Sequence, residues 1–297
     1  MSRHESKYPA KLKKGDTIGV AAPSSPFDSD EFVNGVSILE SMGFHVHVPE
    51  EIWEKKAYLA GADEKRAAVI NRLFADPAID AIVCARGGYG VLRILGQIDF
   101  DLIRKNPKPF IGFSDITALL SVFNQQCGFA PYHGPMVCSL GKSDDNTIRA
   151  FETILTTDNG GGIGAENGRV IIPGKAEGLL KGGNLATLCH LTGTDYQPEF
   201  KDSILMLEDV AEPPYKLDRM LTQMKYAGYF ETIRAVVGGS FERCGDVDDI
   251  TEIFKHIFSD FHIPVALDFP FGHGRTNMAF PLGVSAIFDT DSLSVVF

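Results

Sequence analysis

Apolar and polar positions follow two alternating periods through the first half of the chain. TIGVAAP (17–23) is a short continuous apolar run, the pattern of a strand covered on both faces. SDEFVNGVSILESMG (29–43) places its apolar residues at helical spacing and stops at Gly43, a C-terminal cap. FHVHV (44–48) alternates with the strand period. ADEKRAAVINRLFAD (62–76) is helical again, with acids in its first turn, where the helix dipole favours them. AIDAIVCA and PFIGF are two further buried strands; RGGYG and a short helix follow the first, and DITALLSVFNQQCG follows the second. Strand and helix in strict alternation predict a parallel, doubly wound α/β sheet. In such sheets chemistry collects beyond the carboxyl ends of the strands.

The alternation weakens after residue 140. GKSDD and TTDNGGGIGAENG are rich in turn formers, with a helix predicted over TIRAFETIL between them. Beyond them come GRVIIPG, EGLLKGGNLATLCHLTG, the apolar strand SILMLED, the long helix PPYKLDRMLTQMKYAG, and closing strands with the look of hairpins. The second half therefore reads as a β-rich α/β domain with a mixed sheet. The Gly-rich stretch separates an N-terminal domain, 1–160, from a C-terminal domain, 168–297.

Composition narrows the setting. With 28 basic and 39 acidic residues the net charge is −11, which argues against a nucleic-acid partner. Hydrophobic residues at 44% and charged residues at 23% suit a folded globular protein. The five cysteines are scattered and form no CxxC, so neither a disulfide framework nor a zinc site is expected. No apolar core of a signal peptide follows the charged start, and no run approaches membrane-spanning length. A reduced, cytoplasmic protein without membrane contact is the expectation.

Three positions could carry chemistry. Ser114, in GFSD, stands between a strand and a helix. A helix N-cap is one role for it, and local sequence taken alone favours that role. A nucleophile on a sharp turn is the other, although G-F-S-D departs from the G-x-S-x-G elbow. His273 sits between glycines in FPFGHGRTN, a loop rather than a core position. Glu208 and Asp209 end an apolar strand, and only one of the two could turn inward to orient a histidine. The remaining histidines lack metal-ligand spacing, with His4 in the terminal segment, and no dinucleotide fingerprint occurs; no metal or cofactor is expected.

In combination these motifs have an order. KGDTIGVAAPSSP, RGGYG, GFSD with ITALL, YHGPM, GGNLATL, LMLEDVAEPPYKLDRML, PFGHG and NMAFPLG succeed one another over most of the chain. The order resembles that of the LD-carboxypeptidase family, serine peptidases that include the muramoyltetrapeptide carboxypeptidases of peptidoglycan recycling. The resemblance implies an N-terminal Rossmann-like domain carrying the nucleophile and a C-terminal β-rich domain carrying the other two members of a Ser–Glu–His triad. By motif the triad would be Ser114, Glu208 and His273, with the backbone N–H groups of Gly88 and Asp115 as oxyanion hole. A homodimer is implied as well.

The expected activity is release of terminal D-alanine from a murein tetrapeptide by cleavage of an L,D-peptide bond. Arg86 and Arg275, each flanking a proposed catalytic loop, are candidates for binding the substrate carboxylates. Within the same family the alternative is a microcin-immunity-type hydrolase of peptidyl or aminoacyl adenylates. Its members tend to carry an added loop that stacks on the nucleobase, whereas the only tryptophan here, Trp53, lies early in the chain. A ligand-binding module without turnover and a metal hydrolase are the alternatives from other classes.

Overall fold

The computed structural model describes residues 5–158 and 161–297, so His4 and two residues of the Gly-rich stretch lie outside it. Five strands of the first half, β1 (Thr17–Ala21), β2 (His45–His47), β3 (Ala81–Cys84), β4 (Phe110–Gly112) and β5 (Tyr132–His133), lie in one sheet. They run parallel in the order β2-β1-β3-β4-β5. β3 and β4 are buried at every position, as the apolar runs require of strands covered on both faces. Strand β2 is at the edge, and its alternating sequence leaves His45 and His47 exposed while Val46 faces in. The strand order changes direction between β1 and β3, where doubly wound sheets open a binding crevice.

The sheet has a sixth strand from the far end of the chain. Phe280–Pro281 adds antiparallel to β5, pairing Phe280 with His133. The second half thus returns to complete the first sheet. That return was not legible as periodicity, because two residues show no period.

The other strands form a mixed eight-stranded sheet: β6 (Gly162–Gly164), β7 (Arg169–Ile172), β8 (Lys175–Asn184), β9 (Ser203–Val210), β10 (Ala235–Glu242), β11 (Val265–Leu267) and, after β12 (Phe280–Pro281), β13 (Ser285–Asp289) and β14 (Ser294–Val296). Its centre, β8-β9-β10-β11, is parallel, while β13 and β14 form an antiparallel hairpin beside β8. Helices Pro214–Tyr226 and Val247–Phe258 bury Leu217, Leu221, Phe254 and Phe258 in a core with Leu205 and Leu207 of β9. A second core runs under the first sheet and takes in Ile204 and Met206 from the opposite face of β9. β9 is therefore covered on both sides, and a charged residue within it needs a specific partner.

The two halves meet at the end of β8. Gly183 has φ +133°, and a Cβ there would lie 2.7 Å from the Thr117 side chain. Only glycine allows this approach, after which Asn184 N donates to Thr117 Oγ1 at 3.1 Å. Among the described residues no helix is long and apolar enough to cross a membrane.

Candidate active site

Strand β4 ends at Gly112, Phe113 is extended, and Ser114 then takes a left-handed φ of +64° before a single 3-10 turn, Ser114–Ile116. The cap position of this turn is Phe113, which offers no side-chain acceptor. Ser114 is thus not the N-cap that local sequence favours: the chain reverses at Ser114 itself. A left-handed L-residue costs about 1–2 kcal/mol. Such strain persists where the surroundings over-determine it, frequently at active sites. The turn leads into the buried helix Thr117–Val122, and Thr187 Oγ1 donates to the Ser114 carbonyl at 3.5 Å.

The loop after β3 packs onto this serine. A Cβ on Gly87 would lie 2.9 Å from Ser114 Cβ and 3.1 Å from its Oγ, so the RGGYG backbone touches the nucleophile candidate. Gly88 follows with φ +120°. The loop is clasped by the one after β1, since Ser25 N donates to Gly87 O at 3.4 Å and Tyr89 N donates to Ser25 Oγ at 3.2 Å. Asp115 faces the same two loops: its Oδ2 accepts from Ser24 Oγ at 2.6 Å and Val91 N at 3.0 Å. Burial raises its carboxyl pKa against the pull of those bonds.

The acid and the imidazole come from the second half. Glu208 is fully buried in β9, and its Oε2 lies 2.6 Å from His273 Nδ1. The approach depends on Gly272, at φ +100°, where a Cβ would stand 2.7 Å from Glu208 Oε2. Two hydrogen bonds brace the loop, Gly272 N to Asn277 Oδ1 at 2.9 Å and Gly274 N to Ser240 Oγ at 2.8 Å. The His273 ring rests on Phe113, centroid to centroid 4.8 Å, so it stands beside the residue that precedes Ser114. Burial draws the imidazole pKa down, but the hydrogen bond and charge of Glu208, with the charge of Asp209, outweigh it and hold the pKa above 6.5; Arg243 opposes them.

Asp209 is occupied elsewhere. It accepts from Asn184 Nδ2 at 3.1 Å, Ala186 N at 2.9 Å and Val210 N at 2.8 Å, pinning the start of helix Leu185–Leu191. Burial and the neighbouring Glu208 push it up to about 6. Of the two arginines expected to bind substrate carboxylates, Arg86 directly precedes Gly87 and Arg275 lies two residues after His273. Arg86 Nη1 donates to Pro26 O at 2.9 Å, and exposed Arg275 acts on Asp144, which accepts from Thr276 Oγ1 at 2.5 Å.

His133 has no spacing signal in the sequence, yet it lies next to the site. It is wholly buried, stacked on Phe280 at 4.7 Å and 5.8 Å from Phe113, and burial pushes its pKa down to about 4. It is a neutral ring in the wall behind Phe113, and its place in YHGPM was the only hint. All five cysteines are buried and unpaired, and burial pushes the thiols of Cys127, Cys138 and Cys189 up to about 12. Among the described residues no group of three or more His, Cys, Asp or Glu could hold a metal ion. A separate cleft of about 960 Å³, lined in part by Tyr8, Lys11, Arg149 and Asp268, contains none of Ser114, Glu208 and His273.

Comparison with known proteins gives this arrangement a lineage. Residues 18–134 match the LD-carboxypeptidase N-terminal domain, and residues 177–288 match the LD-carboxypeptidase C-terminal domain. The chain is 35% identical to a probable murein peptide carboxypeptidase of Bacillus subtilis, over 97% of this chain and 93% of that one. It is 32% identical to the murein tetrapeptide carboxypeptidase of Pseudomonas aeruginosa, over 93% and 94% of the two chains. Among solved structures, an MccF-like protein from Bacillus anthracis superposes with a TM-score of 0.91 at 29% identity, covering 98% of each chain. The chain belongs to the LD-carboxypeptidase family.

Proposed function

We propose that this protein is a serine carboxypeptidase that cleaves the L,D-peptide bond before the terminal D-alanine of murein tetrapeptides, with Ser114, His273 and Glu208 as its triad. The observation that carries the reading is the 2.6 Å contact of Glu208 with His273 Nδ1. It leaves Nε2 as the free ring nitrogen, on a ring packed against Phe113, one residue from a strained serine. Names of relatives support the substrate class, since murein peptides appear in them.

Serine is a weak nucleophile until a base takes its proton. Ser114 Oγ attacks the carbonyl carbon of the third residue while its proton passes to His273 Nε2. Glu208 holds the imidazole in the tautomer with the proton on Nδ1 and stabilises the imidazolium that forms. The carbonyl oxygen, now negative, is received by the backbone N–H groups of Gly88 and Asp115; one such donor is worth roughly 10²- to 10³-fold in kcat. His273 then protonates the D-alanine nitrogen, the C–N bond breaks, and a water repeats the sequence on the acyl-enzyme. Each step uses groups of this chain and water alone.

The reading carries with it a cytoplasmic site of action, peptidoglycan recycling as the context, and a homodimer. A second reading, hydrolysis of an adenylate-type substrate, is favoured by the close likeness to an MccF-like protein. Against it, Trp53 is engaged with Phe27 at 5.1 Å and Phe32 at 4.9 Å. Mass spectrometry of murein tetrapeptide incubated with the protein decides between them: tripeptide and free D-alanine are expected. An intact tetrapeptide beside a cleaved aminoacyl adenylate analogue would replace the first reading with the second.

A further inference from the structure

We propose that Arg243 is the anchor for the terminal carboxylate of the departing residue. The inference rests on the carboxypeptidase reading above, because it is the need to hold a free chain end that calls for a cation. His273 must protonate the departing nitrogen, so the departing residue lies beside His273. Its carboxylate is one carbon from that nitrogen. The anchoring cation therefore belongs on the His273 side of Ser114, away from the β3 loop that carries Arg86.

Arg243 stands on that side. It follows the end of β10, the strand paired with β9, which carries Glu208. β10 also braces the His273 loop, with Ser240 N donating to Phe271 O at 2.9 Å and Gly274 N donating to Ser240 Oγ at 2.8 Å. Three residues beyond Ser240 the chain turns left-handed at Arg243, φ +57°, and the turn closes with Cys244 N on Phe241 O at 3.2 Å. The adjoining end of β9 does the same at Ala211, φ +59°, whose N donates to Glu242 O at 2.8 Å. Two neighbouring non-glycine residues are thus left-handed where the strands leave the site, which fixes the direction in which the chain departs.

The guanidinium is also unoccupied. Arg243 is exposed and makes no ion pair or side-chain hydrogen bond among the described residues, whereas Arg86 is spent on a carbonyl. The positive charge of Arg243 reaches His273, where it opposes the pull of Glu208 and Asp209. A planar guanidinium accepts a carboxylate in a two-bond fork, which fixes direction as well as position. With the carboxylate on Arg243, the nitrogen at His273 and the carbonyl at the oxyanion donors, the terminal α-carbon is held at three points. Its configuration then decides where the methyl group goes.

The test pairs variants with substrates. Arg243→Met keeps length and removes charge; Arg243→Lys keeps charge and removes the fork. Each is assayed on murein tetrapeptide with a free C-terminus and on its C-terminal amide. Arg243→Met should lower kcat/KM on the acid roughly 10- to 100-fold, mainly through KM, and the preference for acid over amide should collapse. Arg243→Lys should recover part of it. Unaltered labelling of Ser114 by a fluorophosphonate shows that the variant is folded and its triad intact. An undiminished acid preference in Arg243→Met, or equal losses on both substrates, overturns the anchor. Should the wild-type protein turn over neither peptide, the carboxypeptidase reading fails separately. The anchor is then judged by calorimetry of Ser114→Ala, where acid bound no better than amide rejects it.

Discussion

Glu208 Oε2 lies 2.6 Å from His273 Nδ1, between residues 65 positions apart in the chain. The carboxylate is wholly buried, and its nearest approach is made to a loop that only a glycine could bring so close. A buried charge is tolerated when it is paired, and here the pair raises the basicity of an imidazole beside a strained serine.

Replacing the serine tests the nucleophile directly. Ser114→Ala should reduce turnover by on the order of 10⁴- to 10⁶-fold. Its melting temperature should stay near that of the parent, because Ser114 caps no helix. D-alanine release at more than about one-tenth of the parental rate would remove Ser114 from the mechanism, given that expected loss.

The adjacent acids should part company. Glu208→Gln keeps the shape of the side chain and loses the charge that supports the imidazolium, for a loss of roughly 10⁴-fold in kcat. Asp209→Asn leaves the His273 pair in place but weakens three hydrogen bonds at the start of helix Leu185–Leu191. Its defect should appear in denaturant midpoint, by about 1–3 kcal/mol, with milder loss of activity per folded molecule. Kinetics and unfolding of both variants give the ranking; the reverse order would reassign the acid.

The pH profile has a defined sign. His273 acts as base only when neutral, and its pKa is held above 6.5 by Glu208 and Asp209. kcat/KM should therefore rise with pH through a midpoint above 6.5. In Glu208→Gln the burial of the ring remains while the largest opposing contribution is gone, so the residual activity should show its acidic limb at lower pH. An unshifted limb would mean that another group titrates.

Gly272 should not accept a side chain. Gly272→Ala places a methyl 2.7 Å from Glu208 Oε2 in a backbone at φ +100°. Expected are a stability loss of about 1–3 kcal/mol and a fall in kcat as the imidazole is displaced from its acid. Thermal melts and steady-state rates measure both, and a parental kcat in a stable variant would show that the loop has room to spare.

Stereochemistry at the chain end is the fifth expectation. Inverting the terminal α-carbon of the substrate exchanges methyl and hydrogen while carboxylate and carbonyl remain anchored. A displacement of about 1 Å at the reacting carbon can cost on the order of 100-fold. Matched peptides ending in D-alanine and L-alanine should differ by at least that order in released alanine, and similar rates would point to a looser hydrolase.

The amino-acid sequence by itself determined the scaffold of this protein. The apolar runs of β1, β3 and β4 and the helical spacing of Ser29–Ser41 and Asp63–Ala75 are local patterns, and burial acts on them locally. Motif order likewise singled out Ser114, Glu208 and His273 as residues to watch. Tertiary structure decided what local pattern leaves open. Whether Ser114 caps a helix or stands on a strained turn is a matter of one φ angle, and close packing against Gly87 surrounds it there. Which of Glu208 and Asp209 meets His273 depends on the two cores that clothe β9 from opposite sides. The return of Phe280 to β5, which stacks a buried His133 behind Phe113, has no periodic signal at all. The physical reason is common to the three. Periodicity records which face of an element avoids water, whereas a site is a relation between side chains on different elements, set by how those elements pack.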